Sequence, residues 1–147
     1  MIIQSSSSLR LEAVPAKEVA RTWKLHAGRH LDPLIKEAKT RWQLGDTVSL
    51  CESEEGQLWL IWDAEAREAI GAFITQIIEG GGEKALEILA LAGRDLDRWL
   101  PMLPQLEGFA RAHGCTLMRA YARFGLQRVL KSYRWKPRQV ILERALA

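Results

Sequence analysis

The spacing of apolar residues changes several times along the chain, and each change marks an element. Leu9–Val14 alternates apolar with charged residues and predicts a short strand whose partner lies later in the chain. Pro15 predicts the start of a helix with Val19, Ala20, Trp23 and Ala27 on one face, ended by Gly28. Asp32 with Pro33 restarts the chain as a second helix, where Leu31, Leu34, Ile35, Ala38 and Trp42 make a core-facing stripe as far as Gly45. Asp46 can cap one further turn, residues 47–51, before an acidic loop at 52–56.

At residue 57 the period becomes two. Leu58, Leu60 and Trp62 share one face of a strand over 57–63, and Trp59 and Ile61 share the other, so both faces are at least partly covered. A short charged loop leads into a second β-like run over 69–78, which predicts a hairpin. Gly80, Gly81 and Gly82 then join two strands. A phosphate cradle needs a helix N-terminus beside it, so these glycines read as a hairpin turn.

The chain is organised around residues 84–115, a buried strand, a turn, a helix and the entry to a further strand. The apolar run at 86–91 stops at Gly93, and Asp95 or Asp97 is placed to cap the helix that follows. Trp99, Leu103, Leu106 and Ala110 form its apolar stripe, and Gly114 closes it. Pro101 and Pro104 each remove a donor, which predicts a bent or two-piece helix, regular only from about Pro104. A strand over 115–121, a helix over 124–133 with Leu126, Val129, Leu130 and Tyr133 on its stripe, and a strand over 138–146 complete the chain. Residues 1–8 read as a polar, serine-rich leader, and residues 9–147 as one α+β domain with a mixed sheet.

The net charge of +3 conceals an asymmetry. From Arg119 onward the chain carries +7, with Glu143 its one acid, and the preceding 118 residues carry −4. A cationic C-terminal surface suits phosphates, nucleic acid or an acidic protein patch. Arg128, Lys131 and Arg134 fall largely off the last helix's stripe, and Trp135 lies between two cations, so these four are the candidate partner-binding residues. Five of the six tryptophans fall on core positions and no groove-reading helix can be identified, which disfavours a nucleic-acid module. Cys51, Cys115 and three scattered histidines fit neither a disulfide framework nor a metal site. No apolar run approaches the roughly 20 residues of a membrane span, and residues 1–12 lack an export pattern, so a soluble, unexported protein is expected.

The element order resembles that of the GCN5-related N-acetyltransferases (GNAT) over residues 9–146. The most specific likeness is to small GNAT-like proteins of tailed bacteriophages and prophages. It is carried by QLWLIWD, AIGAFITQI, LAGRDLDRWLPMLPQLEGFARAHGC and GLQRVLKSYRWKPRQVILERAL. The resemblance implies an acyl-CoA N-acyltransferase-like fold and a phage or prophage gene neighbourhood, and does not by itself imply catalysis.

Active members of the family hold the acetyl-CoA pyrophosphate with a Gln or Arg, two spacers, Gly, a spacer, and Gly or Ala. Here the matching stretch, residues 93–99, has one glycine and two carboxylates, Asp95 and Asp97. Like charges about 5 Å apart cost roughly 3 kcal/mol at an effective dielectric near 20, which offsets much of what a helix N-terminus offers a phosphate. If acetyl-CoA binds, the resemblance assigns Gly93, Arg94 and Arg98 to it. Leu130 stands where many members carry the tyrosine that returns a proton to the thiolate; Tyr133 and Tyr121 are nearby in sequence but off that position, and Tyr133 is the candidate if the protein is an enzyme. Glu87 and Glu79 are the candidate bases, although a solvent-facing strand position is the commoner role for such residues.

These departures favour a non-catalytic GNAT-like protein without a cofactor, acting in virion structure or assembly through protein contacts. It would act in the host bacterial cytoplasm or the virion, and homo-oligomers are compatible with the sequence. The alternative is an N-acetyltransferase that uses acetyl-CoA on a small amine or a protein amine.

Overall fold

Six segments with β periodicity pair into one sheet of order β1-β2-β3-β4-β5-β6 in a computed structural model that describes residues 2–4, 8–37, 44–122 and 124–146. The strands are β1 (Ile2–Gln4), β2 (Leu9–Val14), β3 (Gly56–Asp63), β4 (Glu68–Gly80), β5 (Glu83–Gly93) and β6 (Leu117–Ala120). Neighbours pair antiparallel, except β5 with β6, which are parallel. A helical crossover between β5 and β6 makes the parallel pairing possible. Residues 2–4, assigned above to the polar leader, form β1, because an edge strand needs only a backbone partner, supplied here by β2 through Ile3↔Leu11.

The alternation in β3 sorts the core onto the two sheet faces as expected. Leu58 and Leu60 are buried with Val19, Trp23, Leu31 and Ile35 beneath the first helices, with Trp62 packed against them. Trp59 and Ile61 are buried on the opposite face with Phe73, Trp99, Leu103 and Leu106. Trp59 stacks on Phe73 at 5.7 Å between ring centroids, and its indole N–H donates to Thr75 Oγ1 at 3.0 Å, so the largest core residue leaves no polar atom unsatisfied. Gly81 and Gly82 adopt φ of 58° and 80° in the β4–β5 turn, the left-handed conformation that glycine takes without strain.

The first helical region differs from expectation. A 3₁₀ turn (Ala16–Glu18), α1 (Val19–Thr22), a π-helical turn (Trp23–Ala27) and α2 (Gly28–Glu37) follow without a break. Gly28 does not end a helix, since its φ is −59°, and its N–H bonds to Trp23 O across the π turn. That wide turn brings Trp23 O within 2.8 Å of where a Gly28 Cβ would be, so the glycine serves close approach. Asp32 accepts from the Trp23 indole at 2.7 Å where a new helix start was expected, and Pro33 sits inside α2. Ala20 is exposed, and Ala38 and Trp42 lie outside the described residues. Next comes α3 (Leu44–Glu52), with Asp46 in its first turn.

After β5 come α4 (Leu96–Trp99), a 3₁₀ segment (Leu100–Gln105) and α5 (Leu106–Ala112), the two-piece arrangement that the prolines impose. Trp99, Leu103, Leu106 and Ala110 are all buried, and Gly114 closes the unit at φ 80°. Beyond β6, α6 (Phe124–Leu130) and a 3₁₀ turn (Lys131–Tyr133) bury Leu130 and half-bury Leu126 and Tyr133, but Val129 is 42% exposed. Residues 138–146, expected as a last strand, have no ladder partner among the described residues.

Candidate active site

The parallel pairing of β5 with β6 spans only Ala85↔Leu117 to Ile88↔Ala120. β5 continues to Gly93, while the chain beyond Ala120 leaves the sheet, so among the described residues no strand pairs with residues 89–93 on the side away from β4. Ala90, Leu91, Ala92 and Gly93 are accordingly half-buried. The β4–β5 ladder shifts register at Ile74/Thr75, a bulge that leaves Leu89 unopposed and increases the local twist. A wedge opens between the carboxyl ends of two parallel strands, where ligands collect in sheets of this kind.

Glu87 stands at the apex of the wedge and is 3% exposed, the opposite of the solvent-facing position expected for it. Its register partners are Gln76 on β4 and Arg119 on β6, and Arg119 donates to Glu87 Oε2 at 2.8 Å. The Tyr121 hydroxyl reaches the same oxygen at 3.2 Å from just beyond the strand. The hydrogen bond to Glu87 is the main cause that raises the Arg119 pKa above its ordinary value. Arg119 also bonds Glu83 at 3.2 Å, and Glu83 in turn receives Arg138 at 3.2 Å.

The loop at the mouth of the wedge is closed by its own ion pairs. Arg94 pairs with Glu68, and Arg98 with Asp63 at 3.2 Å and Asp95 at 3.7 Å. Asp95 occupies the position before α4 at φ 55° but makes no side-chain cap, so the expected carboxylate cap is replaced by contacts with the two arginines. The reason is conformational: a left-handed residue carries its side chain away from the β-region geometry that capping requires. Arg94 N–H bonds Ile70 O at 2.9 Å, and a Cβ on Gly93 would lie 2.6 Å from Gly71 Cα and from Ile70 O. Gly93 therefore serves the close packing of β5 on β4.

Asp63 is buried and organises the other side of this network. Its Oδ1 accepts from Ala66 N–H at 3.2 Å, Glu65 N–H at 3.1 Å and the Ser8 hydroxyl at 3.0 Å. The Ala66 bond, with those from Ser8, Arg98 and Glu65, holds its pKa below the ordinary value against the opposing cost of burial.

Of the bases and acids named from sequence, the structure brings only Glu87 to the wedge. Glu79 is exposed opposite Lys84 near the β4–β5 turn. Tyr133 packs with Leu130 and Trp99 in the core of the other face, so Tyr121 is the tyrosine beside Glu87. Arg128, Lys131 and Arg134 are exposed as expected, whereas Trp135 is half-buried against the same core and is no projecting anchor. Arg119, and the place of Tyr121 beside Glu87, were missed because both rest on a parallel register between segments more than 30 residues apart (32 for Glu87 and Arg119), for which a single sequence carries no signal.

A cavity of about 550 Å³ adjoins Gln76, the cross-strand neighbour of Glu87, and carries Glu54, Glu55, Gln57 and His113 on its walls. Cys51 also lines it, but burial, with a smaller contribution from Glu52, pushes that thiol up to about 12, which removes it as a nucleophile. Among the described residues, no group of three or more His, Cys, Asp or Glu side chains could hold a metal, and no helix is long and apolar enough to cross a membrane.

No protein-family model and no curated protein sequence matches the chain. Solved structures do. A Bacillus halodurans protein superposes at a TM-score of 0.67 and 12% identity over 92% of this chain and 99% of its own. An aminoglycoside acetyltransferase from an uncultured soil metagenomic sample gives 0.66 and 16% over 95% and 99%. A Trypanosoma brucei acetyltransferase gives 0.63 and 11% over 94% and 99%. The fold is that of the GNAT acetyltransferases, a mixed sheet flanked by helices, and at such identities the likeness establishes the fold alone.

Proposed function

We propose that this protein is an N-acetyltransferase that draws the acetyl group of acetyl-CoA into the β5–β6 wedge and transfers it to an amine entering from the cavity beside Gln76. The observation that carries the reading is the open edge at residues 89–93 with the buried carboxylate of Glu87 at its apex. An unpaired strand edge presents backbone N–H and C=O groups to an extended, amide-containing arm, as in strand addition. The pantetheine end of the cofactor fits this edge. The mouth fits a diphosphate poorly, since Arg94 and Arg98 are committed to Glu68, Asp63 and Asp95. Bound there, acetyl-CoA would supply the activated acyl thioester.

The residues of the chain would then handle the amine. Glu54 and Glu55 at the cavity favour a cation, so the acceptor is drawn in as an ammonium. Glu87 is the group placed to take its proton, directly or through a water, and the Tyr121 hydroxyl is the nearest donor for returning one. Arg119 fixes the carboxylate in the apex.

Titration calorimetry with acetyl-CoA, and thiol release in the presence of a panel of amines, test the reading. Binding with a micromolar dissociation constant is expected, and Glu87→Gln should keep that binding while losing about 10²- to 10⁴-fold in transfer. Absence of binding at millimolar acetyl-CoA would reject the reading. It would favour the non-catalytic reading, a protein acting through protein contacts, with which the self-paired arginines of the mouth and the exposed Arg128, Lys131 and Arg134 are compatible.

A further inference from the structure

Among the described residues one buried side-chain polar atom has no hydrogen-bond partner, Arg10 Nε. Glu12 Oε1 lies 3.1 Å from it but outside hydrogen-bond geometry, so the two make an ion pair and leave the N–H unanswered. A buried donor without an acceptor is costly to fold, which marks a place where an acceptor arrives. Arg10 borders a cavity of about 440 Å³ on the flank of the first helices. This cavity shares Val14 and Pro15 with the one beside Gln76, but none of Gln76, Glu87, Arg119 and Tyr121 lines it, so it lies apart from the wedge.

The pattern along the chain builds this cavity. Glu18, Thr22 and His26 fall at i, i+4 and i+8 and form a polar stripe beside the core stripe of Val19, Trp23 and Ala27. His26 comes from the π-helical turn, and its ring meets Trp62 edge-on at 5.3 Å. Arg10 and Glu12 on β2 share one sheet face with Trp62 on β3, because Arg10 pairs with Trp62 and strand residues two apart point the same way. The core stripe closes onto the sheet, whereas the polar stripe meets polar groups and leaves space between the two layers.

We propose that this cavity binds a free amino acid with an aromatic side chain, taken as the zwitterion. Two carboxylates, Glu12 and Glu18, against one guanidinium disfavour a simple anion. A simple cation leaves Arg10 Nε unanswered. A zwitterion meets both conditions, since its carboxylate accepts from Arg10 Nε and its ammonium faces Glu12 and Glu18, the second of which pairs with no described cation. Trp62, with His26 edge-on to it, supplies an aromatic wall on which a further ring packs offset or edge-to-face. The volume suits one small molecule. This site stands independently of the acetyl-transfer reading, and its test reads binding alone.

Titration calorimetry on the full chain compares L-phenylalanine with phenethylamine and hydrocinnamate, which keep the ring and lose one charge each. L-Phenylalanine should bind with a dissociation constant below about 1 mM, and each analogue should bind about 10-fold more weakly or worse, the loss of one charge-assisted contact. Arg10→Met should weaken L-phenylalanine binding by about 10-fold or more with an unchanged near-ultraviolet tryptophan spectrum. Glu18→Gln, at an exposed position that the fold tolerates, should weaken it as well and keeps the test open if Arg10→Met fails to fold. Glu54→Gln with Glu55→Gln, in the neighbouring cavity, should bind as the wild type does. No binding of L-phenylalanine at about 10 mM overturns the proposal, and so does equal binding of either analogue, which would mean a simple ion site. Binding that survives both Arg10→Met and Glu18→Gln, or that is lost instead in the Glu54 and Glu55 variant, overturns it too, because the amino acid then sits elsewhere.

Discussion

Gly93 lies against Gly71 so closely that a Cβ on Gly93 would come within 2.6 Å of the Gly71 Cα. Two glycines on neighbouring strands thus let β4 and β5 meet at the mouth of the wedge. Gly93→Ala should force the strands apart and destabilise the protein by about 1 to 3 kcal/mol, as overpacking does. Urea unfolding checks this. An unchanged midpoint would mean that the two strands part at negligible cost.

Asp63 gives the expected acid sensitivity a sign. Its folded-state pKa is depressed below the ordinary 3.8, chiefly by the Ala66 N–H, so the folded state favours the ionised form. That contribution is fully present above the unfolded value and is lost as pH falls from about 3.8 through the lower folded value. Asp63→Asn should lower stability at neutral pH and flatten the fall on the acid side. Thermal unfolding of both proteins between pH 2 and 6 measures it, and parallel curves would remove Asp63 as the titrating group.

Leu106 and Val129 were both assigned to helix stripes, but only Leu106 is fully buried, at 0% exposure against 42%. Leu106→Ala should cost about 2 to 5 kcal/mol. Val129→Ala should stay within about 0.5 kcal/mol, as surface changes do. Comparable losses from the two in guanidinium unfolding would place Val129 in the core after all.

The sequence by itself determined what depends on local period and local backbone chemistry. Alternation in residues 57–63 assigned Trp59 and Ile61 to one face and Leu58, Leu60 and Trp62 to the other, because side chains on a strand must alternate. Pro101 and Pro104 divided the second helical unit, and Gly81, Gly82 and Gly114 marked turns, because these residues restrict or free their own φ. Gly28 shows the limit of such signals, since a glycine that frees the backbone also admits a neighbouring carbonyl, and Trp23 O took that space. The wedge, the union of Glu87 with Arg119 and Tyr121, and the unpaired end of the chain were decided by the tertiary structure alone. Each depends on which strand edges meet and in what register, and those edges are built from segments whose separation along the chain leaves no periodic trace.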